Sequence, residues 1–265
     1  MNGKGDPPEA MSENILLETK DRVLRIEIAR ADKKNALTGD MYNAMADALL
    51  SADKEPAVRA VLIHGTRDCF TAGNDLKDFL ERPPHSQNSP AFRFIRTLPE
   101  FGKPLVAAVN GAAVGVGTTM LLHCDFVYAA PGAKFQLPFV PLGLVPEAGS
   151  SFLLPYIAGY QRAAELLLLG EPFGPEKALA AGFVTEIVPV AELFERARAA
   201  ALAVAALAPA AVRAAKALMR RRFGARTAEA MEEEGNVFRE RLQSPEAKEA
   251  MTAFFEKRKP DFSRF

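Results

Sequence analysis

Cys69-Phe70-Thr71-Ala72-Gly73-Asn74-Asp75-Leu76 and Asn110-Gly111-Ala112-Ala113-Val114-Gly115-Val116-Gly117 are the two stretches on which the reading of this chain turns. Each follows a short apolar run that reads as a strand, Ala60 to His64 for the first and Leu105 to Val109 for the second. Each is rich in small residues, which let another group come close to the main chain. Strand ends that expose free N–H groups side by side can hold a developing oxyanion.

Outward from these turns the pattern alternates. Ile15 to Thr19 and Val23 to Ala29 read as strands around a Lys20-Asp21-Arg22 hairpin. Thr38 is placed to cap a helix from Gly39 to Leu50, with Met41, Met45, Ala48 and Leu49 on one face. Arg82 to Pro90 reads as a loop, a helix precedes Lys103-Pro104, Val116 to His123 is helical and Phe126 to Ala129 is a strand. Strands alternating with helices through short glycine-bearing turns predict an α/β fold. From Val190 onward strand signals vanish, and helices are expected over Ala191 to Ala208, Ala210 to Arg222, Thr227 to Leu242 and Pro245 to Lys257. The organisation expected is a flexible extension over 1–13, a core over 14–200 and a helical region over 201–265.

Composition narrows the function. Nearly half of the 265 residues (49%) are hydrophobic, enough for a substantial core. Lys plus Arg and Asp plus Glu both number 33, and the resulting zero net charge argues against nucleic acid as a partner. Cys69 and Cys124 lie far apart and match neither a zinc site nor a redox pair. The first residues lack the apolar stretch of a signal peptide, and the apolar run Ala199 to Ala208 is too short to span a bilayer. A soluble cytoplasmic protein without membrane or metal is the expectation.

The third informative stretch is Phe135-Gln136-Leu137-Pro138-Phe139-Val140-Pro141-Leu142-Gly143-Leu144-Val145-Pro146-Glu147-Ala148-Gly149-Ser150-Ser151. On position alone, Glu147 reads as an acid complementing the dipole of a helix that starts there. The second turn is not a dinucleotide fingerprint, because Met120 stands where the third glycine would be. His64 reads as structural, His85 sits in the loop, Cys69 has no base partner, and Arg220-Arg221-Arg222 reads as a solvated helix end.

Taken in order, these segments resemble the crotonase, or enoyl-CoA hydratase/isomerase, superfamily. Arg30-Ala31-Asp32-Lys33-Lys34-Asn35-Ala36-Leu37 and Leu166 to Val188 extend the resemblance from Ile15 to the end. It implies a spiral of ββα units with C-terminal helices that assemble homotrimers, often paired into hexamers. It also implies an acyl-CoA thioester as substrate, coenzyme A being part of that substrate and no separate cofactor. The oxyanion hole falls on the backbone N–H groups of Asn74 and Val116, the latter standing where the family usually has glycine. Ala72, Gly73, Asp75 and Leu76 fall on the CoA-binding loop, and Lys33 and Lys257 are candidates for the nucleotide phosphates.

Hydratases of the family use two glutamates, and the aligned positions hold Thr119 and Phe139. The segment from Pro138 to Ser151 instead resembles the peroxisomal-type delta-3, delta-2 enoyl-CoA isomerases, in which one glutamate, here Glu147, serves as base and then as acid. Hydration or another crotonase-type reaction is the alternative, and a CoA-binding module without catalysis is a third reading.

Overall fold

A computed structural model describes residues 12–82, 86 and 89–265. Of the extension expected over 1–13, residues 1–11 lie outside the described residues, as does His85. The strands are β1 (Ile15–Lys20), β2 (Val23–Ile28), β3 (Ala60–His64), β4 (Cys69–Thr71), β5 (Leu105–Val109), β6 (Ala112–Val114), β7 (Phe126–Ala129), β8 (Lys134–Gln136) and β9 (Glu186–Ile187). The helices are α1 (Gly39–Lys54), α2 (Leu76–Glu81), α3 (Pro90–Glu100), α4 (Val116–Thr119), α5 (Ser150–Ala158), α6 (Tyr160–Ala164) and α7 (Pro175–Ala180). They continue with α8 (Val190–Ala206), α9 (Pro209–Arg220), α10 (Gly224–Leu242) and α11 (Pro245–Phe255). The α/β class expected from the sequence is the class observed.

Two sheets organise the chain. The larger has the order β1-β2-β3-β5-β7-β9, and the smaller has the order β4-β6-β8. Among the paired strands described, β1 and β2 alone run antiparallel, through a turn whose Asp21 and Arg22 both have positive φ (53° and 68°), the conformation that matches strand twist in a two-residue hairpin. All other pairs are parallel. The chain therefore steps from a strand of the large sheet to one of the small sheet three times, β3 to β4, β5 to β6 and β7 to β8, with helix after each step.

The central strands are buried on both faces, which explains their continuous apolar runs. Val61 and Ile63 of β3 point into the main core with Ala107 and Val109 of β5. Ala60 and Leu62 point the other way, with Val106, Ala108 and Tyr128, onto α8. Ala197, Ala201 and Ala205 recur every four residues on α8 and are all buried, so a stripe of small side chains seats the helix close to the sheet. Residue 200 falls inside this helix.

One surface assignment is corrected. Arg220 is not a solvated helix end: its guanidinium donates to the carbonyls of Pro99 (3.1 Å) and His123 (2.6 Å). Those groups are main-chain acceptors left over where α3 and the 3₁₀ turn Met120–His123 finish, and Arg220 satisfies them. Lys216, one turn earlier on α9, donates to Asp125 (2.6 Å) and the Lys103 carbonyl (2.6 Å). Together they pin the helical region to the core.

Candidate active site

The ends of β4 and β6 place two main-chain amides at one cavity. The carbonyl of Gly73 accepts from the Leu37 amide (2.8 Å), and the Leu37 carbonyl accepts from the Asp75 amide (2.9 Å). Asn74 is therefore held on both sides. Gly73 has φ 85°, and a Cβ there would lie 2.6 Å from the Val114 carbonyl oxygen, so only glycine lets the two turns come this close. In the second turn Gly115 adopts φ 57° and ψ −118°, a conformation closed to L-residues, and Val116 follows as the first residue of α4. An amide at the first helical position has no acceptor within its own helix. Among the described residues neither the Asn74 nor the Val116 amide has a hydrogen-bond acceptor.

The cavity has a volume of about 680 Å³, and Asn74, Val116 and Glu147 all line it. So do Lys33, Ala72, Gly73, Asp75 and Leu76. Asp75 contributes structure as well as lining. Its carboxylate accepts from Arg30 (2.7 Å) and caps α2 through the amides of Lys77 (3.1 Å) and Asp78 (3.2 Å). Lys257 does not line the cavity: α11 ends at Phe255, the Lys257 amide closes a turn onto the Phe254 carbonyl, and φ of 55° carries the chain onward. Phe254 and Phe255 line the cavity instead. The rest of the wall is largely apolar, with Phe79, Phe92, Ile95, Leu144, Phe238 and Met251 from α2, α3, the loop before α5 and the two last helices.

Glu147 does not begin a helix. Ala148 and Gly149 intervene with φ of 59° and 72°, and α5 starts at Ser150. The side chain is buried (6% exposed). Its Oε1 accepts from the Thr119 hydroxyl, while Oε2 is buried without a partner among the described residues. Burial pushes its pKa up to about 8, the Thr119 hydrogen bond opposing this and the nearby Glu234 carboxylate adding to it. Of the two positions at which the resemblance implied carboxylates, Thr119 thus bonds Glu147 and Phe139 is a buried piece of the cavity wall.

Sequence reasoning missed Tyr42. It lies on α1 beside the expected apolar face, is buried (3% exposed) and donates its hydroxyl to Asn74 Oδ1. Burial, with Glu147 and Asp78 adding to it, holds this phenol well above the ordinary tyrosine range. The side chain of Asn74 is thereby fixed while its amide stays free. His64 is structural, its Nδ1 lying 2.7 Å from the Gly65 carbonyl and its ring edge-on to Phe194.

Known proteins share this chain's sequence and fold over most of its length. A profile described as enoyl-CoA hydratase/isomerase matches residues 18–264. The human protein named enoyl-CoA delta isomerase 2 is 34% identical over 253 residues, covering 93% of this chain; the chain spans 64% of that relative's length. The Escherichia coli protein named 2,3-dehydroadipyl-CoA hydratase is 31% identical, covering 95% of this chain and 99% of its own. Among solved structures, Pseudomonas aeruginosa OdaA superposes with a TM-score of 0.89 at 50% identity, covering 92% of this chain and 99% of its own. An enoyl-CoA hydratase/isomerase from Pseudoalteromonas atlantica gives 0.90 at 43% identity, covering 94% and 100%. A chain matched over nearly its whole length by the family profile, and superposing closely on solved members, belongs to the enoyl-CoA hydratase/isomerase family, and its fold is the crotonase fold.

Proposed function

We propose that this protein is an enzyme that moves the double bond of a 3-enoyl-CoA to the 2-trans position. The observation that carries the reading is the buried carboxyl of Glu147 lining an apolar cavity together with two main-chain amides that have no acceptor among the described residues. In this reading the thioester carbonyl accepts from the Asn74 and Val116 amides, and the Glu147 carboxylate takes the proton from C2. The electron pair passes into the carbonyl as an enolate, and the two donors are worth most at that moment, when the oxygen carries charge. Protonated Glu147 then returns the proton to C4, and the enolate collapses to the conjugated 2-enoyl-CoA. No atom is gained or lost, so one acid/base group suffices.

The proton affinity of Glu147 suits both steps. A carboxyl held near 8 is a stronger base than an exposed glutamate and still exchanges its proton near neutral pH. Hydration is the second reading, favoured by the hydratase name of the Escherichia coli relative. It requires a group to handle the water, and Thr119 and Phe139 stand where the second carboxylate would be sought. The deciding experiment compares isomerisation of 3-enoyl-CoA with hydration of 2-enoyl-CoA at matched chain length, with Glu147→Gln as control. Isomerisation that vanishes in the variant supports the proposal. Hydration that survives in the variant, or CoA binding without turnover, sinks it. The proposal extends to a homotrimer or hexamer in the cytoplasm, which sedimentation and fractionation would check.

A further inference from the structure

The loop that carries Glu147 is gripped from outside in an unusual way. The peptide unit joining Ala148 to Gly149 is bonded at both of its polar atoms. Its carbonyl oxygen lies 2.7 Å from His123 Nε2, which must carry the proton because a carbonyl only accepts. Its N–H donates to Glu234 Oε2 at 2.6 Å. The other oxygen of Glu234 accepts from the Ser151 amide (2.8 Å). Glu234 comes from α10, far along the chain, and is itself buried (6% exposed). Ala148 needs this grip, since a non-glycine residue at φ 59° is strained and holds only where its surroundings fix it.

We propose that Glu234 is a positioning residue: with His123 it clamps the Ala148–Gly149 peptide and so aims the Glu147 carboxyl into the cavity. This rests on Glu147 being the base, as proposed above. The clamp has a consequence beyond geometry, because the clamping group is a carboxylate. The titratable groups that face Glu147 and its loop are Tyr42 from α1, His123 from the 3₁₀ turn and Glu234 from α10. Tyr42 stays a neutral phenol. Burial, with Arg220 and Lys216 beyond, lowers His123 to about 4, so it too is neutral near pH 7. Glu234 is thus the acidic neighbour that adds to the proton affinity of Glu147; burial raises its own pKa as well, the hydrogen bonds from Ser151 and Gly149 opposing this. One side chain both aims the base and adds to the proton affinity that burial already raises.

The test pairs Glu234→Gln with Glu234→Asp. The Gln variant keeps the size but loses the charge and one of the two acceptors. Its kcat is expected to fall on the order of tenfold to a hundredfold with KM changed less than about threefold, as for a misplaced catalytic group. The Glu147 carboxyl, followed by infrared titration against Glu147→Gln as blank, should titrate at lower pH than in the unaltered protein. The Asp variant keeps the charge but its shorter arm cannot span both amides. It should lose kcat while its carboxyl titration stays closer to that of the unaltered protein. Unaltered kcat in Glu234→Gln overturns the inference, as does lost thermal stability with kcat and the Glu147 titration both unmoved. If Glu234→Gln does not fold, full activity in Glu234→Asp overturns it. If the unaltered protein has no isomerase activity, the reaction proposed above fails, while the infrared shift still decides whether Glu234 governs Glu147.

Discussion

The Thr119 hydroxyl donates to Glu147 Oε1 and leaves Oε2 buried without a partner among the described residues, in a side chain that lines the cavity. The two oxygens of one carboxyl thus have different tasks. One anchors the group and favours its ionised form, and the other has no hydrogen bond of its own among the described residues. Since Glu147 must be ionised to accept a proton, kcat/KM for isomerisation should rise with pH and level off above about 8. Thr119→Val removes the bond that lowers the proton affinity. Its pH profile should therefore move to higher pH, leaving less activity at pH 7, and a profile that moves down would contradict the assignment.

Glu147→Gln should abolish the acid/base step, lowering kcat by about 10²–10⁴-fold. It should also change stability in a pH-dependent way. The folded-state pKa of Glu147 is raised above its ordinary value of 4.5 to about 8, so its contribution is complete below 4.5 and is lost as pH rises through 8. The variant lacks this slope. Denaturant unfolding of both proteins at pH 5 and pH 9 should show the variant gaining on the unaltered chain by about 3–5 kcal/mol at the higher pH.

Val116 offers a clean test of a main-chain donor. It is the first residue of α4, where proline is tolerated because that amide has no helical acceptor. Val116→Pro deletes the N–H and should cost about 10²–10³-fold in kcat, as for loss of one oxyanion donor. Val116→Ala keeps the N–H and should stay within about tenfold of the unaltered enzyme. Equal losses in both would show that the side chain matters and the amide does not.

Tyr42→Phe removes the hydroxyl that holds Asn74 Oδ1. The expected loss of stability is about 1 kcal/mol, rising toward 3 kcal/mol if the amide oxygen stays buried and unpaired. A fall in kcat accompanied by little change in KM, read from steady-state kinetics, is the outcome that ties Tyr42 to the placement of the Asn74 amide.

The centre of the large sheet was readable because a strand buried on both faces is one unbroken apolar run, whereas its two-residue edge strand Glu186–Ile187 was not. Ala60 to His64, Leu105 to Val109 and Phe126 to Ala129 are strands where the sequence places them. The small sheet was not readable. Cys69–Thr71, Ala112–Val114 and Lys134–Gln136 are too short for a period to show, and they exist as strands only because distant segments pair. The site divides in the same way. Asn74, Val116 and Glu147 lie in stretches whose small residues and turns stand out. Tyr42 and Glu234 do not, one being an ordinary helix residue and the other the last of the acidic run Glu232-Glu233-Glu234, which reads as solvated surface. Only folding brings them to the loop and turn they hold.

The small sheet also decides how errors in this protein would look. β4 and β6 are three residues each and run directly into the turns bearing Asn74 and Val116. Their pairing already shifts register between Cys69 and Thr71, and a further slip of one residue would turn the side chains beyond it to the opposite face. Damage to these strands should divide a preparation into molecules that work normally and molecules that do not work at all. Counting active sites, rather than averaging a rate over the whole sample, is how such a population would be recognised.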